Sequence, residues 1–247
     1  MGLVNAERKV QAVCLRAQPD EATLAQLGDR RVWLIYREMV RSRLREEIEL
    51  GLSRTCRAAG SAAVGQALER YLEVAPPRTR LFREVACHFA RSVAPWWRAD
   101  PSVPAYLAEL CAYEAAVWEV ADLDARVESA IAEFAFDKAP VLSPALRLLQ
   151  LSYVVHQIPS DEAQYAAETC WIAVHRPADD QRVQPWRLNQ LTYDLLARWQ
   201  VGGVTITQAT EQVARAHGRA VDATFVDGLC TVLADFIDKG IILGSAG

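Results

Sequence analysis

Between Thr169 and Leu188 the chain writes "TCWIAVHR", then "PADD", then "RVQPWRL". The first segment alternates, with Cys170, Ile172 and Val174 on one face and Trp171, Ala173 and His175 on the other. Pro177 to Asp180 supplies turn residues, and the second segment reads as the return strand. Pro185 cannot donate to a ladder, so this strand belongs at a sheet edge or a bulge. Three helices follow the hairpin. Asn189 is placed to cap the first, which carries Leu191, Leu195, Leu196 and Trp199. Thr205 and Gln208 have capping-box spacing at the start of the second, which stops at Gly218. The third runs from about Asp222 to Lys239, with Phe225, Leu229, Val232, Leu233 and Phe236 inward, and "IIL" closes as a short strand. Hairpin, three helices and a last strand predict a winged-helix-like module.

Upstream, the pattern is helical. A modest helix is expected over Leu3 to Gln18 and a short one from Glu21 to Gly28. A long helix is expected from Asp29 to about Arg57, with Trp33, Tyr36, Met39, Val40, Leu44, Ile48 and Leu52 as one apolar stripe. Its opposite face would carry Arg30, Arg31, Arg37, Arg41, Arg43 and Arg45, either solvated or facing an acidic partner. Further helices are expected up to Pro76-Pro77, from Leu81 to about Pro95, and from Tyr106 past Trp118, with Trp96 and Trp97 in a proline-punctuated loop. "ALRLLQLSYVVHQIP" reads as a strand or a short buried helix, and Pro159 to Glu168 as a linker. The expected fold is therefore mostly α (α+β): an N-terminal helical bundle over 1–160, followed by a winged-helix-like domain with a small sheet over 161–247.

Function classes narrow by exclusion. Among 247 residues there is no run of eighteen apolar residues, and the charged N-terminus lacks the apolar core of a secretion signal. A cytoplasmic protein is expected. The formal net charge of −4 and the acidic last helix, with Asp222, Asp227, Asp235 and Asp238, have the wrong sign for a phosphate backbone. Six dispersed cysteines form no C-x-x-C pair, and the four histidines stand singly, so no metal site and no catalytic group are expected. What is left is recognition. An exposed edge strand can take an extended peptide as an additional strand, with neighbouring helices reading its side chains.

Two resemblances sharpen this. Val174, Arg176, Pro177, Val183, Leu188, Asn189, Tyr193, Leu195 and Leu196 fit the pattern of PqqD-like peptide-recognition elements in ribosomal natural-product pathways. That resemblance implies leader-peptide binding at Val183, Gln184, Trp186, Arg187 and Leu188, and on the last helix at Phe225, Leu229 and Leu233. "LIYREMVRSRLREEIE" and "YLAELCAYEAAVWEV" resemble the helical partner proteins of multinuclear non-haem iron-dependent oxidative enzymes, of the BufC, HvfC, MbnC and TglI type. The matching residues are Tyr36-Arg37, Arg41 to Leu44, Tyr106-Leu107 and Tyr113-Glu114; the chain departs from the pattern at Glu38-Met39 and Ser53-Arg54.

The resemblance implies a non-catalytic subunit that forms a heterodimer with such an enzyme and delivers a precursor peptide for cysteine modification, in methanobactin- or thiaglutamate-type biosynthesis. It implies no cofactor in this chain and iron in the partner enzyme. Arg37, Arg41, Arg45, Trp96 and Trp97 are then the candidate enzyme contacts. The competing readings are a winged-helix DNA-binding regulator, which would need a basic recognition helix, and a stand-alone enzyme with an unrecognised site.

Overall fold

The computed structural model describes residues 3–79, 81–123, 134–159, 165–180 and 182–246. The chain divides into two compact units. One is built on the residues up to Ala115 and the other on Ala116–Pro159 and Tyr165 onward. The division falls well before the boundary near 160 that the linker composition suggested, because the strand before that linker pairs with the hairpin after it.

The first unit is helical: α1 (Leu3–Cys14), α2 (Glu21–Leu27), α3 (Arg30–Gly51), α4 (Ser53–Val74), a 3-10 turn at Phe82–Glu84, α5 (Val85–Arg98) and most of α6 (Leu107–Asp122). Asp20 caps α2 and Asp29 caps α3 by accepting from first-turn N–H groups, as short acidic side chains do at N-caps. The long helix expected to reach Arg57 ends at Gly51, and α4 starts afresh at Ser53 and bends at Gly60, whose φ of 78° suits glycine alone. Pro95 lies inside α5 rather than ending it, so Trp96 and Trp97 are in its last turn and not in a loop. A ring of edge-to-face contacts links Tyr71 to Phe89 at 5.4 Å and Phe89 to Trp97 at 6.1 Å in the core of this unit.

The orientation of α3 overturns the expected stripe. Leu44 and Ile48 are buried and Trp33 and Val40 half-buried, but Tyr36 and Met39 point to solvent. Arg37 is buried instead, four residues after Trp33 and three before Val40, on the inward side. Its guanidinium donates to the carbonyls of Val13 and Ala17, at 2.5 and 2.9 Å, just where α1 ends. Those carbonyls have no helical donor of their own, so a cation there both completes their hydrogen bonds and meets the negative end of the helix.

In the second unit β1 (Pro140–Leu142) and β5 (Ile242–Ser245) form an antiparallel pair, while β2 (Leu146–Tyr153), β3 (Ala167–His175) and β4 (Gln184–Leu188) form a separate antiparallel sheet in the order β2-β3-β4. The ambiguous apolar run is thus strand, and its partner settles it: Leu146 lies opposite His175 and Leu151 opposite Cys170. β3 starts at Ala167, inside the expected linker, and residues 160–164 of that linker lie outside the described residues. α7 (Gln190–Val201), α8 (Ile206–Ala216) and α9 (Ala223–Asp238) follow. Asn189, Thr205 with Gln208, and Asp222 cap them, and the Thr205–Gln208 pair is a complete capping box. Leu195, Leu196, Trp199, Ile206, Leu233 and Phe236 make the helical half of a core whose sheet half includes Leu146 and Ala173.

Candidate functional site

β4 is an edge. Among the described residues β3 is its one partner, so its outer backbone groups meet no other strand. Trp171 lies opposite Leu188, Ala173 opposite Trp186 and His175 opposite Gln184, so Gln184, Trp186 and Leu188 share the helix-facing side of the sheet. Pro185 and Arg187 share the other. Proline in this strand agrees with its place at the edge.

Where β4 ends, a groove begins. Leu188 is the last residue of the strand, and Asn189, which caps α7, already lines a cavity of about 490 Å³. Leu191 and Thr192 from the first turn of α7, His217 and Arg219 beyond α8, and Phe225 and Leu229 on α9 complete its walls. Its lining mixes apolar side chains with Asn189, Thr192, Thr224, His217 and Arg219, so it offers both apolar contact and hydrogen-bonding groups to a peptide. Gly228 also lines it, and a Cβ added there would meet open space, so this wall has no side chain filling it. At the rim His217 Nε2 and Asp194 Oδ2 are 2.7 Å apart. Asp194 is therefore engaged with the imidazole, and Arg219 stands exposed at the same rim.

The residues expected to bind peptide divide. Val183 precedes the strand and is half-buried; Gln184 Nε2 donates to Asp180 across 3.4 Å. Trp186 and Leu188 pack on the core, with the Lys239 ammonium 4.2 Å from the centre of the Trp186 ring. Arg187 is exposed and ion-paired with Glu168 on β3. Phe225 and Leu229 line the groove. Leu233, one turn further along α9, does not, since it is 2% exposed and belongs to the core behind it. Sequence reasoning missed Asn189, Leu191, Thr192, His217 and Arg219. The Asn189 cap was visible as a helix start, but nothing local shows that the starts of α7 and α9 come together.

His175 is the least accommodated polar group in this unit. It is 1% exposed, and neither ring nitrogen has a hydrogen-bond partner. Burial pushes the imidazole down to about 4, opposed by the Gly240 backbone and aided by the neighbouring Arg176 guanidinium.

The expected enzyme contacts do not form one surface. Arg37 is buried and holds the end of α1. Arg41 donates to the Arg16 carbonyl at 3.3 Å and is ion-paired with Glu69 on α4. Arg45 is half-buried. Trp97 is in the core, and Trp96 is half-buried under the Arg70 guanidinium, 4.2 Å from its ring centre. For Arg37, Arg41, Trp96 and Trp97 the physical reason is alike: each already has partners within the helical unit. Among the described residues no group of three or more His, Cys, Asp or Glu side chains is placed to hold a metal ion. No helix of the described residues is long and apolar enough to cross a membrane.

Residues 143–237, from the turn before β2 to the end of α9, match the family model of the HvfC C-terminal domain. This stretch is similar to the HvfC C-terminal domain. The match spans the β2-β3-β4 sheet, its free edge and the groove, and it supports the HvfC/BufC-like partner family to which the helical motifs point. No curated protein matches the chain. The matched stretch lies in the second unit and leaves out the end of α6, β1, β5 and the residues between α6 and β2.

Proposed function

We propose that this chain is a non-catalytic partner subunit that binds the leader of a ribosomally made precursor peptide and docks it to an iron-dependent oxidative enzyme. One observation carries the reading: the free edge of β4 runs directly into a groove lined from α7 and α9, within the stretch similar to the HvfC C-terminal domain. An extended leader would add as a strand beside β4, taking its affinity from backbone hydrogen bonds, and would seat an apolar side chain between Phe225 and Leu229. The iron and the chemistry on the peptide's cysteines belong, on this reading, to the partner enzyme. This chain supplies the effective concentration of substrate that a tethered leader confers.

The test is a titration of the fluorescently labelled leader of the precursor encoded beside this chain. Saturable binding to the isolated chain, absent for a scrambled leader, is the expected outcome. A chain that ignores the leader but binds duplex DNA, with an affinity that falls steeply with salt, would instead be a winged-helix regulator.

A further inference from the structure

The groove at the end of β4 has a sign. Of its lining side chains the two that can carry charge, His217 and Arg219, are both basic, and no carboxylate lines it. The chain around it is acidic: the formal net charge is −4, and Asp227, Asp235 and Asp238 are exposed on α9. Two carboxylates border the lining residues, and both are engaged. Asp194 Oδ2 meets His217 Nε2 at 2.7 Å, and Asp222 accepts the Phe225 N–H at 2.9 Å as the cap of α9. Arg219 is exposed and closes no ion pair among the described residues.

Local chemistry holds Arg219 at this place. Gly218, with φ 63°, ends α8 in a Schellman motif: its N–H donates to the Arg215 carbonyl at 3.0 Å, and the Arg219 N–H to that of Ala214 at 2.8 Å. The backbone of Arg219 is therefore tied to α8, and its side chain starts from a set point on the groove wall. His217, on the other side of the glycine, is held by Asp194 of α7. A guanidinium offers paired planar donors that match a carboxylate, and here it stands at the mouth of a cavity whose neighbouring wall carries Phe225 and Leu229.

We infer that the groove reads charge as well as shape: it takes a peptide in which an acidic side chain lies close to the apolar one, and Arg219 is the residue that selects it. That the occupant is a leader rests on the function proposed above; the sign of its charge rests on the lining. A basic residue at the same place in the peptide would face Arg219 with no carboxylate in the lining to receive it, so peptides of that sign are rejected. Because Arg219 is at the rim, the contact acts on encounter rate and on choice of peptide, and its strength falls with salt.

The experiment titrates the fluorescently labelled leader of the precursor encoded beside this chain into the full chain, wild type and Arg219→Gln, at low and at high salt. Each Asp and Glu of the leader is replaced in turn by Asn or Gln. Arg219 is at the surface, so the variant should keep the wild-type circular dichroism spectrum. Arg219→Gln is expected to weaken the leader about threefold to tenfold at low salt and less at high salt. One leader replacement should weaken binding to wild type by a similar factor and make no further difference to Arg219→Gln, which is the signature of a direct pair. Arg219→Glu should then recover affinity when that leader position is Lys. Equal binding of the leader by wild type and Arg219→Gln overturns the inference and leaves the proposed function standing. So does a loss in Arg219→Gln that couples to no acidic residue of the leader. Failure of the wild-type chain to bind the leader at all overturns both.

Discussion

The carboxylate of Glu114, on α6, accepts the backbone N–H of Thr55 at 2.7 Å and that of Arg54 at 3.0 Å, and so caps the start of α4 from sixty residues away. The residue before α4, Leu52, has no side chain able to do this. A buried acid opposite a helix N-terminus satisfies two otherwise orphaned donors and meets the positive end of the peptide dipoles. Glu114→Ala should therefore lower the unfolding free energy by about 1–3 kcal/mol, as read from urea denaturation of the full chain. A variant as stable as wild type would show that α4 starts without this cap.

Arg37 and α1 stand in the same relation at the opposite polarity. Arg37→Met keeps the aliphatic stem but leaves the carbonyls of Val13 and Ala17 without their donor. Backbone amides of α1 should then exchange with solvent about tenfold to a hundredfold faster, while those of α9 keep their rates. Unchanged exchange in α1 would mean that packing of Val13 and Leu24 suffices to hold it.

The buried imidazole makes the second unit sensitive to acid. In the unfolded chain His175 takes up a proton near its ordinary value of 6.5, whereas the folded chain refuses it down to about 4. Protons bind the unfolded state in excess within that window, so stability is complete above pH 6.5 and declines as the pH falls toward 4. The loss attributable to this one group is roughly 3 kcal/mol at the lower end. Urea midpoints measured from pH 7 to pH 4 should fall less steeply for His175→Leu than for wild type. Parallel curves for the two proteins would exclude this residue as the cause.

The groove gives a prediction that needs no loss of structure. Gly228 is helical, with nothing within 4 Å of an added Cβ, so Gly228→Trp fills the space between Phe225 and Leu229 without displacing backbone. Leader affinity should drop about tenfold or more, and thermal stability should hold or rise slightly because glycine is a poor helix residue. Phe225→Ala and Leu188→Ala should weaken the leader in the same direction. Retained affinity in Gly228→Trp would place the leader elsewhere on β4.

Local chemistry made much of this fold legible. Asn189, Thr205 with Gln208, and Asp222 each start a helix through a hydrogen bond to an amide three residues on, and nothing outside those segments is required. Gly28, at φ 105°, ends α2 for an equally local reason. The alternation of Cys170 to His175 likewise made β3 a strand, and Pro185 marked β4 as an edge.

Other features had no local signature. "ALRLLQLSYVV" is apolar enough to be a buried helix or a strand, and only the register of Leu146 against His175 decides for β2. Glu114 acquires its role because α6 packs where α4 begins, and the groove exists because the starts of α7 and α9 meet. Sequence by itself determined where the capped helices begin and which segments alternate, since those depend on contacts within four residues. Only the tertiary structure decided which face of α3 is left to solvent and what the β4 edge opens onto, since burial is a property of the surface an element meets and not of the element alone.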